Sequence, residues 1–470
     1  MFFDNIHKFK NNIALFLNDN NKVYFRDILS ISNKFQKIIK KRSLTILIVD
    51  NCLESLCGYI ALLRSNNVIM LLDSNIKDKD LKFIIKNFLP EFVFCSIANQ
   101  KKLPKDFFNL VYSFNNFNLL KNNKKNLYKI NDQLMILIST SGSLGEPKFV
   151  KLSSDNIITN TRSIISYLNL QSFDRTITTM PMSYSYGFSI INTHLSCGGS
   201  IVPNNLSLVD KNFWKLYSIS NPSNINGVPF FYEMLNKIGF KRILKNKPRF
   251  ITQAGGKIKK EIFKNIAMRC LQNNISFYLM FGQTEAGPRI SYHKVKKSDL
   301  NTSDIPIGKP VPKGKLFLRD NNDLLIKKKN VEGNLIYQGK NIFGGYAESY
   351  LDLNSFDNNI ELKTGDLGFQ DKMGKFYVSG RKSRFIKVYG YRLNLDYVEK
   401  KLNSKGLNVA CVGVNEKLYI FSLNSNFKLK NFIDLPKNAY KVILLKKFPL
   451  NDNGKISYNN LIKLIDINDH

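Results

Sequence analysis

Amphipathic helices and short apolar runs alternate over the first hundred residues, and this alternation is the strongest constraint on the fold. Apolar residues recur at helical spacing between Phe25 and Ile39, and the apolar run Leu44–Val49 follows. The pattern continues in two more helix and strand pairs, Leu53–Leu63 with Val68–Leu72 and Leu81–Phe88 with Phe92–Cys95. Strands joined by helices pair in parallel and are buried on both faces. The sequence therefore predicts an α/β fold built on a parallel sheet.

The character of the chain changes near residue 380. Short strands separated by Gly and Asn fill the preceding part, without an internal repeat or a long linker. The basic segment Arg381–Lys387 then leads into a smaller set of strands and helices. With 470 residues, the chain is long enough for several domains. We predict a large N-terminal domain of packed α/β sheets at 1–380 and a smaller α+β C-terminal domain at 384–470.

The chain is strongly basic, with 70 Lys and Arg residues against 36 Asp and Glu residues and a formal net charge of +34. Such a charge suits polyanionic partners such as nucleic acid, phosphorylated cofactors or acidic proteins. The excess is spread over the chain in short clusters such as Lys40–Arg42 and Lys327–Lys329, which is typical of a compositional bias. We therefore expect no nucleic-acid partner. A protein that binds nucleic acid or an anionic membrane surface is an open alternative, and it predicts strongly salt-dependent association.

The six cysteines form no C-x-x-C pair, and the four histidines have no ligand spacing. These patterns indicate neither a disulfide framework nor a zinc site. The first twelve residues lack the apolar core and cleavage site of a signal peptide, and no apolar stretch is long enough to span a membrane. The sequence predicts a soluble, cytoplasmic protein without a membrane span.

The most informative segment is the apolar run Leu134–Ile138 followed by Ser139–Lys148, which is rich in hydroxyl groups and glycine. A buried strand that runs into such a turn presents backbone N–H groups and hydroxyls to phosphates, because glycine permits close approach of the backbone. The spacing differs from G-x-x-x-x-G-K-[ST], since no Lys-Ser/Thr pair follows the second glycine. The candidate phosphate ligands are Thr140, Ser141, Gly142, Ser143, Gly145 and Lys148.

This loop and the motifs after it resemble the adenylate-forming (AMP-binding) superfamily of acyl-CoA synthetases, peptide-synthetase adenylation domains and luciferases. The family loop reads Thr-Ser-Gly-Ser/Thr-Thr-Gly-x-Pro-Lys, and Leu144 stands where a Thr is usual. Further motifs follow in the family's order: Met180–Gly187, Gly227–Pro229, Gln253–Gly256, Phe281–Glu285, Lys363–Asp366, Ser379–Arg381, Ile386–Arg392 and Phe448–Ile456. The set is most similar to acyl-CoA synthetase-like members.

The resemblance implies an adenine and phosphate site. Gly255–Gly256 matches the loop that lies against adenine, and Phe281 and Gly282 begin an aromatic-Gly-x-Thr-Glu motif. An aromatic ring can stack on adenine. Thr284 can hydrogen-bond a phosphate oxygen, and the Glu285 carboxylate can hold Mg²⁺, which binds oxygen ligands and bridges phosphates. We expect Thr284 and Glu285 to be catalytic, with Glu285 as the metal ligand.

Three later residues resemble the family's ribose and adenylation residues. Asp366 matches the Asp that accepts hydrogen bonds from both ribose hydroxyls, as an acceptor-only carboxylate can. Arg381 matches the Arg at the hinge, whose guanidinium can contact ribose and phosphate oxygens. Lys455 matches the mobile, catalytic lysine of adenylation, where an ammonium offsets the charge of the attacking carboxylate and the α-phosphate.

The resemblance also implies that the C-terminal domain moves. The hinge is expected at 381–383, and Ser383 stands where Asp or Lys is usual. A small residue can also absorb a change of backbone angles. Lys387 and Gly390 match a β-turn that lies close to the pantetheine arm in the thioester-forming conformation. We expect the domain to rotate about Ser383 between two half-reactions.

The candidate residues of the acid pocket are Tyr184, Tyr186, Phe230 and Gln253. An aromatic pocket lining and plain core packing explain the aromatic residues equally well. Peptide-synthetase domains commonly place an Asp near the position of Tyr184 to pair with the substrate ammonium, and Ser183–Gly187 has no acidic residue. This favours an uncharged acyl or aryl acid over an α-amino acid.

The implied reaction uses ATP and Mg²⁺ and has two steps. A small-molecule carboxylic acid forms an acyl-adenylate with release of pyrophosphate, and a thiol then displaces AMP. The thiol belongs to coenzyme A or to the phosphopantetheine of a separate acyl or peptidyl carrier protein, because no carrier attachment motif follows Lys455 in this sequence. Two alternatives are open: amino-acid adenylation for a carrier protein, and a non-catalytic nucleotide-binding relative, which Leu144 and Ser383 would suit.

Overall fold

The computed structural model describes residues 3–17, 21–104, 106–124, 128–139, 147–381, 384–388, 391–414, 417–424, 439–451 and 454–468. Up to residue 139, the strands are β1 (Ile13–Phe16), β2 (Lys22–Tyr24), β3 (Leu44–Val49), β4 (Val68–Asp73), β5 (Phe92–Ser96), β6 (Phe108–Phe114), β7 (Phe117–Asn122) and β8 (Leu134–Ser139). The helices there are α1 (Phe25–Ile38), α2 (Leu53–Arg64), α3 (Asp78–Phe88) and α4 (Ile97–Gln100). The predicted alternation of helices and strands is therefore confirmed.

The middle of the chain continues this alternation. Its strands are β9 (Phe149–Ser153), β10 (Arg175–Ile177), β11 (Ser200–Val202), β12 (Asn224–Gly227), β13 (Phe250–Gln253), β14 (Ser276–Phe281), β15 (Ser291–Lys294) and β16 (Lys309–Pro310). Its helices are α5 (Ser154–Leu168), α6 (Ser185–Ser196), α7 (Lys211–Ser220), α8 (Pro229–Ile238), α9 (Lys241–Leu244) and α10 (Lys260–Gln272). A capping box begins α5: the Asn156 backbone N–H donates to Ser153 Oγ, and the Ser153 N–H donates to Asn156 Oδ1.

The last part of the chain is richer in strands. They are β17 (Lys315–Arg319), β18 (Gly333–Gln338), β19 (Tyr346–Ala347), β20 (Glu361–Gln370), β21 (Phe376–Arg381), β22 (Phe385–Val388), β23 (Tyr391–Asn394), β24 (Val409–Val414), β25 (Lys417–Ser422) and β26 (Tyr440–Leu444). The helices are α11 (Leu395–Asn403) and α12 (Tyr458–Asn468). Within the described ranges, no helix of the protein combines the length and the apolar character needed to cross a membrane.

A nine-stranded sheet has the order β16-β15-β14-β13-β12-β10-β11-β1-β2. Its interior strands pair in parallel, and antiparallel pairs occur only towards its two edges. The interior thus has the parallel pairing that the apolar runs predict. Because parallel strands end at the same edge, the segments that follow β12, β13 and β14 leave the sheet side by side.

An eight-stranded sheet has the order β19-β9-β8-β4-β3-β5-β7-β6. The strands β5, β3, β4 and β8 are parallel, whereas the hairpins β6–β7 and β8–β9 add antiparallel strands on either side. The sheet is therefore mixed and not purely parallel. Strand β8, which leads towards the predicted phosphate loop, pairs with β4, with Ile138 opposite Leu71.

The chain divides into two compact units, 1–315 with 338–362 and 316–337 with 363–470. The first unit holds both large sheets. The second holds the four-stranded sheet β17-β18-β20-β21, the β22–β23 pair and the three-stranded sheet β24-β25-β26. This division differs from the boundary near residue 380, because the end of β21 contacts α11: the Arg381 N–H donates to Asp396 Oδ2 at 2.8 Å. The domain limits and the hinge inferred from the sequence stay predictions.

Candidate active site

The start of α6 and the ends of β13 and β14 meet at the carboxyl edge of the nine-stranded sheet. Gln253, the last residue of β13, lies opposite Leu279 of β14. Tyr184 immediately precedes α6, and a Cβ at Gly255 would lie 2.4 Å from the Tyr184 hydroxyl oxygen. Gly255 has φ +84°, a conformation that glycine adopts readily. The structure therefore brings Tyr184 against the loop that the sequence assigns to adenine.

Hydrogen bonds hold two more predicted pocket residues in this region. Gln253 Nε2 donates to the Gly256 carbonyl oxygen at 2.8 Å. The buried hydroxyl groups of Tyr186 and Thr252 are 2.5 Å apart. Phe230 differs: it lies at the start of α8, the residue is 50% exposed, and it is not part of the apolar cluster that contains Tyr184 and Tyr186.

The segment after β14 is closely packed. A Cβ at Gly282 would lie 1.8 Å from the Pro288 carbonyl oxygen, so only glycine fits where the two backbone segments approach. Residues Thr284–Ala286 then form one 3₁₀ turn. Thr284 Oγ1 donates to Ser185 Oγ at 3.3 Å, and the Phe343 N–H donates to the Glu285 carbonyl oxygen at 2.9 Å. Phe281 is half-buried at the end of the strand.

Tyr346 connects two of the predicted nucleotide ligands. Its hydroxyl donates to Glu285 Oε1 at 2.8 Å. Lys148 Nζ lies 4.3 Å from the centre of the Tyr346 ring and 3.1 Å from Glu348 Oε1. Burial and the neighbouring Glu285 carboxylate raise the pKa of Tyr346, so this phenol stays neutral. Lys148 thus contacts the face of the Tyr346 ring, and Glu285 contacts the hydroxyl of the same residue.

The surroundings of Glu285 fit a magnesium ion that is bound mainly by a nucleotide. Only one Glu285 oxygen, Oε1, has a hydrogen bond from another described residue. Among the described residues, no three His, Cys, Asp or Glu side chains are grouped as a metal cage would require. Mg²⁺ is usually held by one or two carboxylates together with phosphate oxygens and water. Glu285 can supply such a carboxylate.

Asn341 supports the turn that carries Thr284 and Glu285. Its Nδ2 donates to the carbonyl oxygens of Ala286 and Arg289, at 2.5 and 2.9 Å. All three groups are buried, and a buried carbonyl oxygen without a donor is costly. Asn341 therefore fixes the path of the chain directly after the catalytic candidates.

In the second unit, Asp366 and Arg381 lie opposite each other on β20 and β21. Arg381 Nε is 3.3 Å from Asp366 Oδ1. Asp366 is only 7% exposed, and burial raises its pKa to about 6, with Arg381 opposing and Asp396 adding to the rise. The structure thus brings together the two residues that the sequence assigns to ribose.

Lys455 closes a tight turn in the second unit. The Asn451 N–H donates to the Lys455 carbonyl oxygen at 2.8 Å, and the Lys455 N–H donates to Asn451 Oδ1 at 2.9 Å. Burial lowers the pKa of Lys455, and the positive charge of Arg381 lowers it further.

The chain is similar to known proteins over most of its length. The model of the AMP-binding enzyme family matches residues 2–347. The chain belongs to the AMP-binding enzyme family. Its resemblance to acyl-CoA synthetases and adenylation domains is thereby confirmed.

Curated relatives of this AMP-binding enzyme are distant. Bacitracin synthase 2 of Bacillus licheniformis is 24% identical over 388 residues, which cover 81% of this chain and 14% of the relative. An acyl-CoA synthetase of Alternaria alternata is 25% identical, over 63% of this chain and 56% of the relative. A D-alanine–D-alanyl carrier protein ligase of Bacillus cytotoxicus is 24% identical, over 70% of this chain and 71% of the relative. The chain thus spans much less than the full length of the first two.

Solved structures share the fold over nearly the whole chain. O-succinylbenzoate coenzyme A synthetase of Bacillus subtilis, solved with ATP and magnesium, has a TM-score of 0.76 at 17% identity and covers 97% of this chain and 98% of its own. The ATP-bound MatB of Rhodopseudomonas palustris has a TM-score of 0.76 at 16% identity and covers 99% of both chains. At such identities the likeness concerns the fold, and it confirms the α/β class.

Several candidate residues of this AMP-binding enzyme lie outside the described ranges. They are Thr140, Ser141, Gly142, Ser143, Gly145, Ser383 and Gly390. Lys387 belongs to β22. The roles assigned to these residues by resemblance stay predictions.

Sequence reasoning did not single out Tyr346, Glu348, Asn341 or Arg289. None of the four belongs to a motif, and each acquires its surroundings from segments far away in the chain. The pairing of β19 with β9 places Tyr346 opposite Val150, close to Lys148. No local pattern in the sequence could have indicated that contact.

Proposed function

We propose that this AMP-binding enzyme activates a carboxylic acid with ATP as an acyl-adenylate and then transfers the acyl group to a thiol. The observation that carries the proposal is the convergence of Tyr184, Gly255, Thr284 and Glu285 at one edge of the sheet. An acid pocket, an adenine loop and a phosphate-facing turn are what this reaction must bring together.

In the first half-reaction, a carboxylate oxygen of the acid attacks the α-phosphorus of ATP. The bond from the α-phosphorus to the bridging oxygen breaks, and pyrophosphate leaves. Thr284 donates a hydrogen bond to a phosphate oxygen, and Glu285 would hold Mg²⁺, which would neutralise charge on the phosphates. The Lys455 ammonium offsets the repulsion between the two anions. No side chain of the protein acts as a nucleophile.

In the second half-reaction, a thiol sulfur attacks the acyl carbon of the adenylate. The bond between that carbon and the phosphate oxygen breaks, AMP leaves and the thiol proton passes to solvent. Lys387 and Gly390 are the candidates for guiding the thiol arm, and the hinge at 381–383 is the candidate for the motion between the steps.

The acceptor is coenzyme A or the phosphopantetheine of a separate carrier protein. The net charge of +34 supports either, because coenzyme A carries phosphates and carrier proteins tend to be acidic. The curated relatives include both an acyl-CoA synthetase and a carrier-protein ligase. The proposal includes that the protein acts in the cytoplasm.

The test traps the adenylate with hydroxylamine and follows pyrophosphate release, using ATP, Mg²⁺ and a pool of fatty, aryl, hydroxy, dicarboxylic and amino acids. We expect turnover with at least one acid and a loss of about 100-fold or more in Lys455→Ala, the usual effect of removing charge stabilisation in an active site. Lys447→Ala, in the loop before the Lys455 motif, is the matched control and should retain full activity. Silence across the pool with ATP binding intact would favour the non-catalytic relative.

A further inference from the structure

Arg289 is a buried arginine without an acidic partner in the part of the chain that the structure describes. Its residue exposure is 2%, and it belongs to none of the ion pairs there. Its Nε has no hydrogen-bond partner in those ranges. A guanidinium stays charged at any ordinary pH, and burial of an unpaired charge is costly. The arrangement implies that a partner is missing.

The guanidinium lies among the residues of the predicted acid pocket. A Cβ at Gly282 would lie 3.1 Å from Arg289 Cα, so the side chain starts beside the end of β14. The guanidinium carbon is 5.0 Å from the centre of the Tyr186 ring, and Nη2 is 3.4 Å from Ser189 Oγ. Tyr186 and Ser189 both lie on α6.

The groups that face Arg289 do not neutralise it. Burial raises the pKa of Tyr167 and of Tyr184, and the Arg289 charge opposes that rise; Arg289 also shares a hydrogen bond with the Tyr167 hydroxyl, and both phenols stay protonated and neutral. The start of α6 adds positive partial charge, because the backbone N–H groups of a helix point out of its first turn. Tyr184, at the N-cap position, makes no side-chain cap to them. The unpaired guanidinium beside α6 therefore favours an anion, and the uncapped start of that helix carries partial charge of the same sign.

We propose that Arg289 binds a second carboxylate of the substrate, so that the acid is a dicarboxylic acid. This inference rests on the proposed function, since it concerns the acid pocket of that reaction. A planar guanidinium binds a carboxylate through two parallel hydrogen bonds. One carboxylate of the substrate reacts with ATP, and the other compensates the buried charge and takes up the unused Nε donor.

The proposal changes one expectation from the sequence. The lack of an acidic residue at Ser183–Gly187 favours an acid that is otherwise uncharged. The buried Arg289 likewise disfavours an α-amino acid, because it would repel the ammonium group. Arg289 thus changes the expected substrate from an otherwise uncharged acid to an acid with a second carboxylate.

The experiment measures binding of succinate, glutarate, adipate and isophthalate to the full chain by calorimetry, each against its monoamide. We expect one diacid to bind at least about tenfold tighter than its monoamide. Arg289→Gln should lose about 10–100-fold of the diacid affinity and much less of the monoamide affinity, because a charged hydrogen-bond donor is removed and the amide has no charge to pair with it. Arg289→Lys, which keeps the charge without the two-pronged geometry, should fall between them. Arg242→Gln, an exposed arginine on α9, is the matched control.

Several results would overturn the proposal. The wild type would bind the monoamides as tightly as the diacids, or it would bind no diacid at millimolar concentration. Alternatively, the Arg289→Gln protein would bind ATP normally and keep the wild-type preference for diacids over monoamides. Tighter binding of 3-sulfopropanoate than of any diacid would also reject the carboxylate. The proposed function is judged separately by adenylate trapping. If diacids bind but no adenylate forms, the Arg289 site is supported and the proposed reaction is rejected. If only monocarboxylic acids give adenylates, the reaction is supported and the Arg289 proposal is rejected.

Discussion

The buried carboxyl group of Asp366 should make nucleoside binding depend on pH. Its pKa of about 6 lies above the ordinary value of 3.8, because burial disfavours the charged form. Only the carboxylate can accept hydrogen bonds from both ribose hydroxyls. We expect adenosine affinity to fall about tenfold from pH 7.5 to pH 5, as the group becomes protonated. Adenosine is the ligand of choice, because it has no phosphate that titrates in this range.

Calorimetry between pH 5 and pH 8 measures this dependence. Asp366→Asn should bind adenosine more weakly and show no such slope, and 2′,3′-dideoxyadenosine should show no slope with the wild type. A flat wild-type profile would contradict the ribose role. The raised pKa also makes the stability of the fold depend on pH. Protonated Asp366 stabilises the folded state fully below pH 3.8, and this contribution is lost as the pH rises through about 6.

The turn Thr284–Ala286 is an element whose position depends on a distant side chain. Asn341→Asp has nearly the same shape but cannot donate to the carbonyl oxygens of Ala286 and Arg289. We expect the free energy of unfolding of the first unit to fall by about 1–3 kcal/mol, the cost of removing the short hydrogen bonds to two buried carbonyl oxygens that Asn160 Nδ2 otherwise reaches only at 3.4 Å. Adenylate formation should fall as well, because Thr284 and Glu285 are displaced.

Denaturant unfolding followed by circular dichroism checks this expectation. Asn273→Asp is the control: this asparagine is exposed and donates to one carbonyl oxygen, that of Arg269, so its change should stay within about 0.5 kcal/mol. Equal stability of the Asn341→Asp protein and the wild type would show that the turn keeps its conformation without the hydrogen bonds of Asn341.

At the scale of the whole molecule, the C-terminal residues have cores of their own. Residues Leu395, Val398 and Leu402 of α11 pack on one face of the β24–β25 pair. Leu461 and Ile465 of α12 pack with Ala410 and Phe421 in a second cluster. Every residue of these two clusters lies between 386 and 465. A fragment that contains all of its own core can fold without the rest.

We therefore expect the fragment 384–470 to unfold cooperatively and to give dispersed amide signals in NMR spectra. This result would support the predicted boundary near residue 380. The opposite result is an unfolded fragment 384–470 although the same residues are folded in the full chain, where 316–337 and 363–383 are present. It would favour the second compact unit, 316–337 with 363–470, as the folding unit. Proteolysis of the full chain supplies the second measurement.

The sequence by itself determined the local elements and the order of the motifs. Between Phe25 and Cys95, side-chain periodicity alone predicts each helix and strand, because an amphipathic helix and a buried strand differ in period. The roles of Thr284 and Glu285 rest on the resemblance of a contiguous motif and stay predictions.

Only the tertiary structure decided what surrounds those motifs. The ring of Tyr346 contacts Lys148 because the distant strands β19 and β9 pair in one sheet. Its hydroxyl contacts Glu285, which follows a strand of the other large sheet, and Asn341, which lies in no strand, holds the turn. A guanidinium in a polar stretch of sequence is usually exposed, and nothing near Arg289 in the chain indicates that α6 covers it. Burial is a property of the packed molecule, and burial is what turns Arg289 from a surface charge into a candidate for substrate recognition.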